Sequence, residues 1–311
     1  MIQGSLVPNI TIFTEDGDLD LARTRWHIDW MFSKGVDGLF LTGSYGAGPL
    51  MTNEERIQIF ELAREAADAA EGHRILLPHV GCIDTKDAVI LAKAAEKVGV
   101  DAVGAVPPFY YKHNDASVIE YYRQIIEAVD VPVYAYNNPQ TSRYTMSLRV
   151  VDELKKLGLA GLKDSPLSLG FITRVAYEAQ EKGEDFQVIM GTSTGWLPLY
   201  YMGVRAAIAG INNWAPEIMT ELVRATVAGE EARARKAYLV MMDLSEKLHF
   251  TDSTIASHMA LYARGFEAGF PRQPMLLPEF SDPKYRELHD VIKRGFDALD
   301  LEFETGGHAL G

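Results

Sequence analysis

Lys163 follows Ala160-Gly161-Leu162, an apolar stretch dry enough to pull down the pKa of a lysine amine. A neutral amine attacks a ketone and forms a Schiff base, and the iminium then draws electrons out of a neighbouring C–C bond. Tyr136 closes another apolar run, Val131 to Tyr136. Its phenol could pass protons to and from a carbinolamine or a substrate oxygen. Gly43-Ser44-Tyr45-Gly46 combines small residues, free backbone N–H groups and a hydroxyl, which suits a carboxylate. Each feature also has a plainer reading: a lysine at a strand end in solvent, a core tyrosine, a tight turn.

Other chemistries find less support. His79 and Cys82 could suggest a metal or a thiol nucleophile, but the chain has one cysteine and no second well-placed histidine or carboxylate. Its eight histidines form no HExxH spacing. The sequence holds no GxGxxG opening a helix, no GxxxxGK[ST] and no GxSxG. Nucleotide-binding and serine-hydrolase readings therefore lack a motif.

The elements that must position these residues are marked by a recurring junction. It reads KGVDGLFLTG (34–43), VGVDAVGAVPP (98–108), LGLAGLKDS (157–165) and MGVRAAIAG (202–210). In each, a glycine suited to a left-handed helix end is followed by a short apolar run, as in strands buried on both faces. Eight strands are expected, near 5–13, 37–42, 75–80, 101–106, 131–136, 159–163, 187–191 and 205–210. Helical patterns lie between them. Thr52 and Glu55 form a capping box, and Ala88, Leu91, Ala92, Ala95 and Val98 recur at helical spacing up to Gly99. Eight alternations predict an α/β protein, a (β/α)8 TIM barrel, whose chemistry sits at the C-terminal ends of the strands. Lys163, Tyr136, the Gly43–Gly46 loop, His79, Tyr110 and Gly191-Thr192-Ser193-Thr194 all fall there. From about 215 the pattern is helical, broken near Gly229 and Thr251, with a last helix near 283–299 and a frayed tail, TGGHALG (305–311). Residues 1–214 are read as the barrel strands and most of its helices. Residues 215–311 are read as the last barrel helix and a C-terminal helical extension of the same unit.

Composition bounds the partners. The 311 residues carry 43 acids against 30 bases, a net charge of −13. Such a surface disfavours nucleic acid and anionic membranes as partners. No run approaches the length of a membrane span and the first residues do not read as a signal peptide, so a cytoplasmic protein is expected.

In this order, LTGSYGAG, HVGC, DAVGAVPPFYY, YAYNNP, GLKDS and RQPMLLP resemble the N-acetylneuraminate lyase and dihydrodipicolinate synthase family of pyruvate-dependent class I aldolases. The resemblance runs from Gly4 to about Leu299. It implies a Schiff base on Lys163, a proton shuttle at Tyr136 and a hydroxyl relay at Ser44. It also implies that the amides of Ser44 and Tyr45 hold the pyruvate carboxylate, with Ile208 beside bound pyruvate. Tyr110 matches a tyrosine that family members place at a neighbour's active site, which implies a homo-oligomer, usually a tetramer. No metal or organic cofactor is implied.

Departures narrow the substrate. The synthase group carries an arginine where this chain has Thr141, with Arg143 two residues on, and a hydroxyl does not replace a bidentate carboxylate clamp. The neuraminate lyases carry Asp-Glu where Ser193-Thr194 stand, and a serine where Gly210 stands. Ala47-Gly48-Pro49 is similar to 2-keto-3-deoxygluconate aldolases, and Tyr45 adds bulk where the family commonly has threonine. The expected activity is cleavage of a 2-oxo-3-deoxy acid to pyruvate and an aldehyde, or the reverse. Lys163, Tyr136, Ser44 and Tyr110 are the expected catalytic residues. Tyr45, Ser165, Gly191, Ser193, Thr194 and Ile208 are the expected substrate contacts. The alternatives are the synthase reaction of pyruvate with aspartate semialdehyde, a keto-acid dehydratase or deaminase, and a keto-acid-binding barrel without turnover.

Overall fold

The computed structural model describes residues 1–307, so residues 308–311 of the expected frayed tail lie outside the described residues. Eight strands follow one another as β1 (Gly4–Val7), β2 (Gly38–Leu39), β3 (Ile75–Leu76), β4 (Val103–Ala105), β5 (Val133–Asn137), β6 (Gly161–Asp164), β7 (Gln187–Met190) and β8 (Ala206–Ile208). They are hydrogen-bonded in parallel in the order β3-β2-β1-β8-β7-β6-β5-β4. A parallel bridge between His79 and Gly104 joins the two ends of that order. There Val80 N–H donates to Gly104 C=O, and Gly104 N–H to Pro78 C=O, each at 2.8 Å. The ring is closed, and the expected (β/α)8 barrel is the observed fold.

The junctions behave as their chemistry requires. Gly99 adopts φ 86° and closes the helix Thr85–Val98 by donating its N–H to Glu96 C=O. Thr52 and Glu55 cap the helix Asn53–Ala69 reciprocally. The first strand is shorter than expected. Pro8 offers no N–H to a ladder, so β1 stops at Val7. Phe13, expected within that strand, instead bridges Leu19 and Phe270 in antiparallel fashion.

Two apolar layers hold the barrel. Inside it lie Leu6, Leu77, Val106, Tyr134, Ile189 and Ile208, which form one cluster. Between strands and helices a second, larger cluster runs from Ile28 and Leu162 to Met241 and Phe296 of the C-terminal helices. Those helices are Pro216–Val227, Glu231–Leu248, Ser253–Ala263 and Pro283–Ala298, separated at Gly229 and near Thr251 as the sequence suggests. The connection from β7 to β8 is thin, a single turn at Ser193–Gly195 and the short helix Trp196–Tyr200. Helix Glu231–Leu248 packs against it, and Tyr238 donates its hydroxyl to Thr194 C=O at 2.7 Å. The C-terminal extension is thereby drawn to the mouth of the barrel.

Arg264 ties the end of the chain to this layer. Its side chain is fully buried, pairs with Glu217 at 3.0 Å and donates to the carbonyls of Trp214 and Glu304. The rings of Trp30, Phe266, Phe296 and Phe303 surround it. Arg264→Met strands the Glu217 carboxylate, so we expect a loss of about 3–5 kcal/mol in unfolding free energy, read by urea denaturation. A change within experimental error would show that the pair adds nothing over apolar packing.

Candidate active site

Strand register brings the two principal residues side by side. Tyr136 on β5 pairs with Lys163 on β6, and Lys163 with Ile189 on β7. All three residues are buried, Lys163 to 3 % exposure. The Lys163 Nζ lies 3.6 Å from the centre of the Phe40 ring and 3.8 Å from that of Tyr136. Burial among these rings lowers the Lys163 pKa well below its ordinary value. The solvent-exposed alternative for this lysine is thereby excluded. The amine is poised to lose its proton in a dry, aromatic site, which is the condition for nucleophilic attack on a ketone.

The Tyr136 hydroxyl sits in a small network. Asn138 Nδ2 donates to it at 3.0 Å, and the Ser165 hydroxyl lies 3.1 Å away. Ser165 reaches on to Gly191 C=O at 3.4 Å. With Asn138 donating, the phenol can give its own proton to Ser165, which can give on to the carbonyl. Burial pushes the Tyr136 pKa up, while Ser165, Asn138 and Ser44 around its oxygen pull it down. Gly191 is glycine for space: a Cβ there would lie 2.4 Å from Ser165 Oγ.

The loop after β2 supplies the anion-binding backbone. Thr42, a β-branched residue, adopts φ 49° and anchors its hydroxyl to His79 C=O at 3.1 Å. A β-branched residue in that region is strained, and such strain is kept where it shapes a site. It turns the chain so that, among the described residues, the N–H groups of Ser44 and Tyr45 donate to no protein acceptor.

Lys163, Tyr136, Ser44, Tyr45, Ser165, Gly191, Ser193, Thr194 and Ile208 line one cavity of about 340 Å³. Every expected site residue except Tyr110 is therefore gathered there. Thr194 offers less than expected, since its hydroxyl lies 3.1 Å from that of Thr192. Tyr110 is 73 % exposed, at φ 80°, with its ring against Tyr111. It does not line the cavity of its own chain. A second, mostly apolar cavity of about 210 Å³ opens beside Ser44, between Leu50, His79, Phe109 and Met275.

Sequence reasoning missed part of the wall. Phe40, beneath Lys163, lies inside the FLTG junction and was readable only as strand. Asn138 directly follows the Tyr136-Asn137 pair and could have been singled out as its hydrogen-bonding neighbour. Ser245, His249, Asp252 and Ser253 come from the C-terminal helices and also line the cavity. No local motif marks them, because only the packing against the thin β7–β8 connection brings them there.

The residues weighed for other chemistry have structural roles. His79 is buried and its Nε2 accepts from Val106 N–H at 3.2 Å. Burial, Arg56 and Lys163 keep its pKa well below the usual histidine range. Arg56 also donates to the Cys82 sulfur at 3.3 Å, and burial pushes that thiol up. No group of three histidine, cysteine, aspartate or glutamate side chains could hold a metal among the described residues. Thr141 donates to Asn138 C=O at 3.2 Å, and exposed Arg143 is absent from the cavity wall.

The sequence matches the model of the dihydrodipicolinate synthetase family over residues 1–294. The chain belongs to that family. Members of the dihydrodipicolinate synthetase family are pyruvate-dependent lyases and aldolases, and this chain is one of them. It is 31 % identical to the 4-hydroxy-tetrahydrodipicolinate synthase of Thiobacillus denitrificans, across 96 % of this chain and 97 % of that one. Among solved structures, it superposes on KD(P)GA from T. tenax with a TM-score of 0.83 and 26 % identity, covering 95 % and 99 % of the two chains. It superposes on YagE of E. coli with a TM-score of 0.87 at 24 % identity, covering 95 % and 99 %, which bears on the fold alone. No helix is long and apolar enough to cross a membrane among the described residues.

Proposed function

We propose that the chain is a class I aldolase that cleaves a 2-oxo-3-deoxy acid to pyruvate and an aldehyde, or condenses the two. The observation that carries this reading is Lys163, buried against Phe40 and Tyr136 at the floor of a hydroxyl-lined cavity. The neutral Lys163 amine adds to the substrate ketone, and loss of water leaves an iminium. Tyr136 returns a proton to the departing hydroxyl and then takes one from the substrate's 4-hydroxyl. The C3–C4 bond breaks, the aldehyde leaves, and the electron pair moves into the iminium as an enamine. Protonation at C3 and hydrolysis release pyruvate and the free lysine. Ser44 and Ser165 relay protons to Tyr136, and the N–H groups of Ser44 and Tyr45 hold the carboxylate. Lysine is the covalent catalyst, and neither a metal nor an organic cofactor takes part.

The charge of the cavity favours a neutral aldehyde. Among the described residues Lys163 is the one lysine or arginine lining it, while ten serines and threonines do so together with Asp252. An acceptor with its own carboxylate or phosphate finds no guanidinium there. We further propose that the change of pattern at 214/215 lies within one folding unit. In a homo-oligomer, as expected a tetramer, Tyr110 of one copy enters the apolar cavity beside Ser44 of another. A cytoplasmic location accords with the acidic composition.

A substrate panel tests the reading. We expect pyruvate release from 2-oxo-3-deoxy acids whose aldehyde half is uncharged at rates at least about a hundredfold above condensation of pyruvate with aspartate semialdehyde, since an unpaired buried carboxylate on the acceptor costs several kcal/mol. Faster condensation with the semialdehyde would favour the synthase reaction instead. Loss of a β-substituent without pyruvate release would favour a dehydratase or deaminase.

A further inference from the structure

Gly210 opens the single turn Gly210–Asn213 that follows β8, and it faces the cavity together with Tyr45. Its backbone does not require glycine, because its φ lies outside the left-handed region. Space is the reason. A Cβ on Gly210 would lie 2.3 Å from the Tyr45 hydroxyl oxygen, 2.7 Å from Cζ and 3.0 Å from Cε1. The Tyr45 side chain therefore occupies the volume that any larger residue at 210 would fill. It does not rest there loosely. Burial raises the pKa of its phenol and the neighbouring Ser253 side chain opposes that rise, while Thr254 Oγ1 donates to its carbonyl at 3.2 Å. Both residues open the helix Ser253–Ala263, so the C-terminal extension fixes where the phenol stands.

We propose that Tyr45 and Gly210 form a coupled pair that sets the acceptor specificity of the site: the ring closes the β8 side of the cavity, and the hydroxyl hydrogen-bonds a hydroxyl of a short, uncharged hydroxyaldehyde. The proposal rests on the aldolase reading. It adds to that reading the class of acceptor and a residue that selects it. A Cβ-free β8 end and a tyrosine in the glycine loop make sense together and not singly. The tyrosine needs the empty place, and the glycine would leave a gap without the tyrosine. Tyr45 lines the same cavity as Lys163 and Tyr136.

The experiment compares the wild type with Tyr45→Phe, Tyr45→Ala, Gly210→Ser and the Tyr45→Ala/Gly210→Ser double variant. Each is assayed for condensation of pyruvate with glyceraldehyde and with propanal, which lacks the hydroxyls. Tyr45→Phe should raise KM for glyceraldehyde roughly tenfold and leave KM for propanal within about twofold, the loss of one neutral hydrogen bond. Gly210→Ser should lower kcat/KM at least about tenfold with both aldehydes, and the double variant should recover most of that loss. If Gly210→Ser does not fold, a cooperative melt regained in the double variant carries the same conclusion. Equal KM for glyceraldehyde in wild type and Tyr45→Phe would overturn the proposal. So would a harmless Gly210→Ser, or a double variant no better than the single. Borohydride trapping of the wild type with pyruvate keeps the two readings apart: absence of an adduct there defeats the aldolase reading, whereas an adduct with the wrong variant pattern defeats only the pair.

Discussion

Lys163→Met abolishes pyruvate release and, at the same time, makes the folded protein more stable at neutral pH. The first effect follows from removing the nucleophile, for which no other amine lines the cavity. The second follows from burial. Lys163 lies among apolar and aromatic neighbours that lower its pKa well below its ordinary value. An unfolded Lys163 keeps its proton up to the ordinary lysine range, whereas the folded one gives it up earlier. Between those two values the unfolded chain binds more protons, so this group makes stability rise with pH across that window. At neutral pH the wild type therefore carries a cost that methionine, of similar shape and no charge, does not. We expect a gain of about 1 kcal/mol or more by denaturant unfolding, shrinking as the pH is raised toward the ordinary lysine value. The same shift predicts that the rate of iminium formation in the wild type is half-maximal well below the ordinary lysine pKa. A variant less stable than wild type, with a gap that does not change with pH, would mean that the amine is held by interactions and not merely tolerated.

Tyr136→Phe leaves the lysine in place and removes the proton carrier. The ring that stands 3.8 Å from Lys163 Nζ remains, so the amine keeps its dry surroundings. We expect kcat to fall by roughly 10²- to 10⁴-fold, the usual contribution of a positioned acid–base group, with a smaller change in KM. Iminium formation should be slowed but still detectable, which separates this variant from Lys163→Met. Because burial pushes the Tyr136 phenol up, it stays protonated through neutral pH in the wild type, and the alkaline limb of the activity profile should report it. A Tyr136→Phe enzyme within about threefold of wild type in kcat would move the proton transfers to Ser44, Ser165 or water.

Much of this site was readable because a barrel repeats its rules. The junction glycines mark where helices end, the apolar runs mark the strands, and the position after each run marks the mouth. That is why Lys163, Tyr136 and the Ser44 loop could be placed together before any contact was known. The parallel register then sets Tyr136 against Lys163 directly. The overlong β1 was a matter of proline chemistry: apolar residues continue past Pro8, but the ladder cannot. The C-terminal wall was harder for a different reason. Ser245, Asp252 and Ser253 flank the break near Thr251 and carry no motif, and Asp252 caps the next helix through Thr254 N–H. Their second role depends on the shortness of Trp196–Tyr200, which lets a distant segment fill the gap. Tyr45 and Gly210 were visible as two separate oddities in the sequence. Only their distance in space turns them into one feature.

The central claim is that Lys163 is an electrophilic catalyst acting through a covalent iminium. Reduction of the folded protein with borohydride in the presence of pyruvate, followed by peptide mass spectrometry, tests it most directly. The account predicts a single stoichiometric pyruvyl adduct on the peptide carrying Lys163, formed without added metal and absent from Lys163→Met. An unmodified Lys163 in folded wild-type protein, or an adduct on another lysine that persists in Lys163→Met, would contradict it.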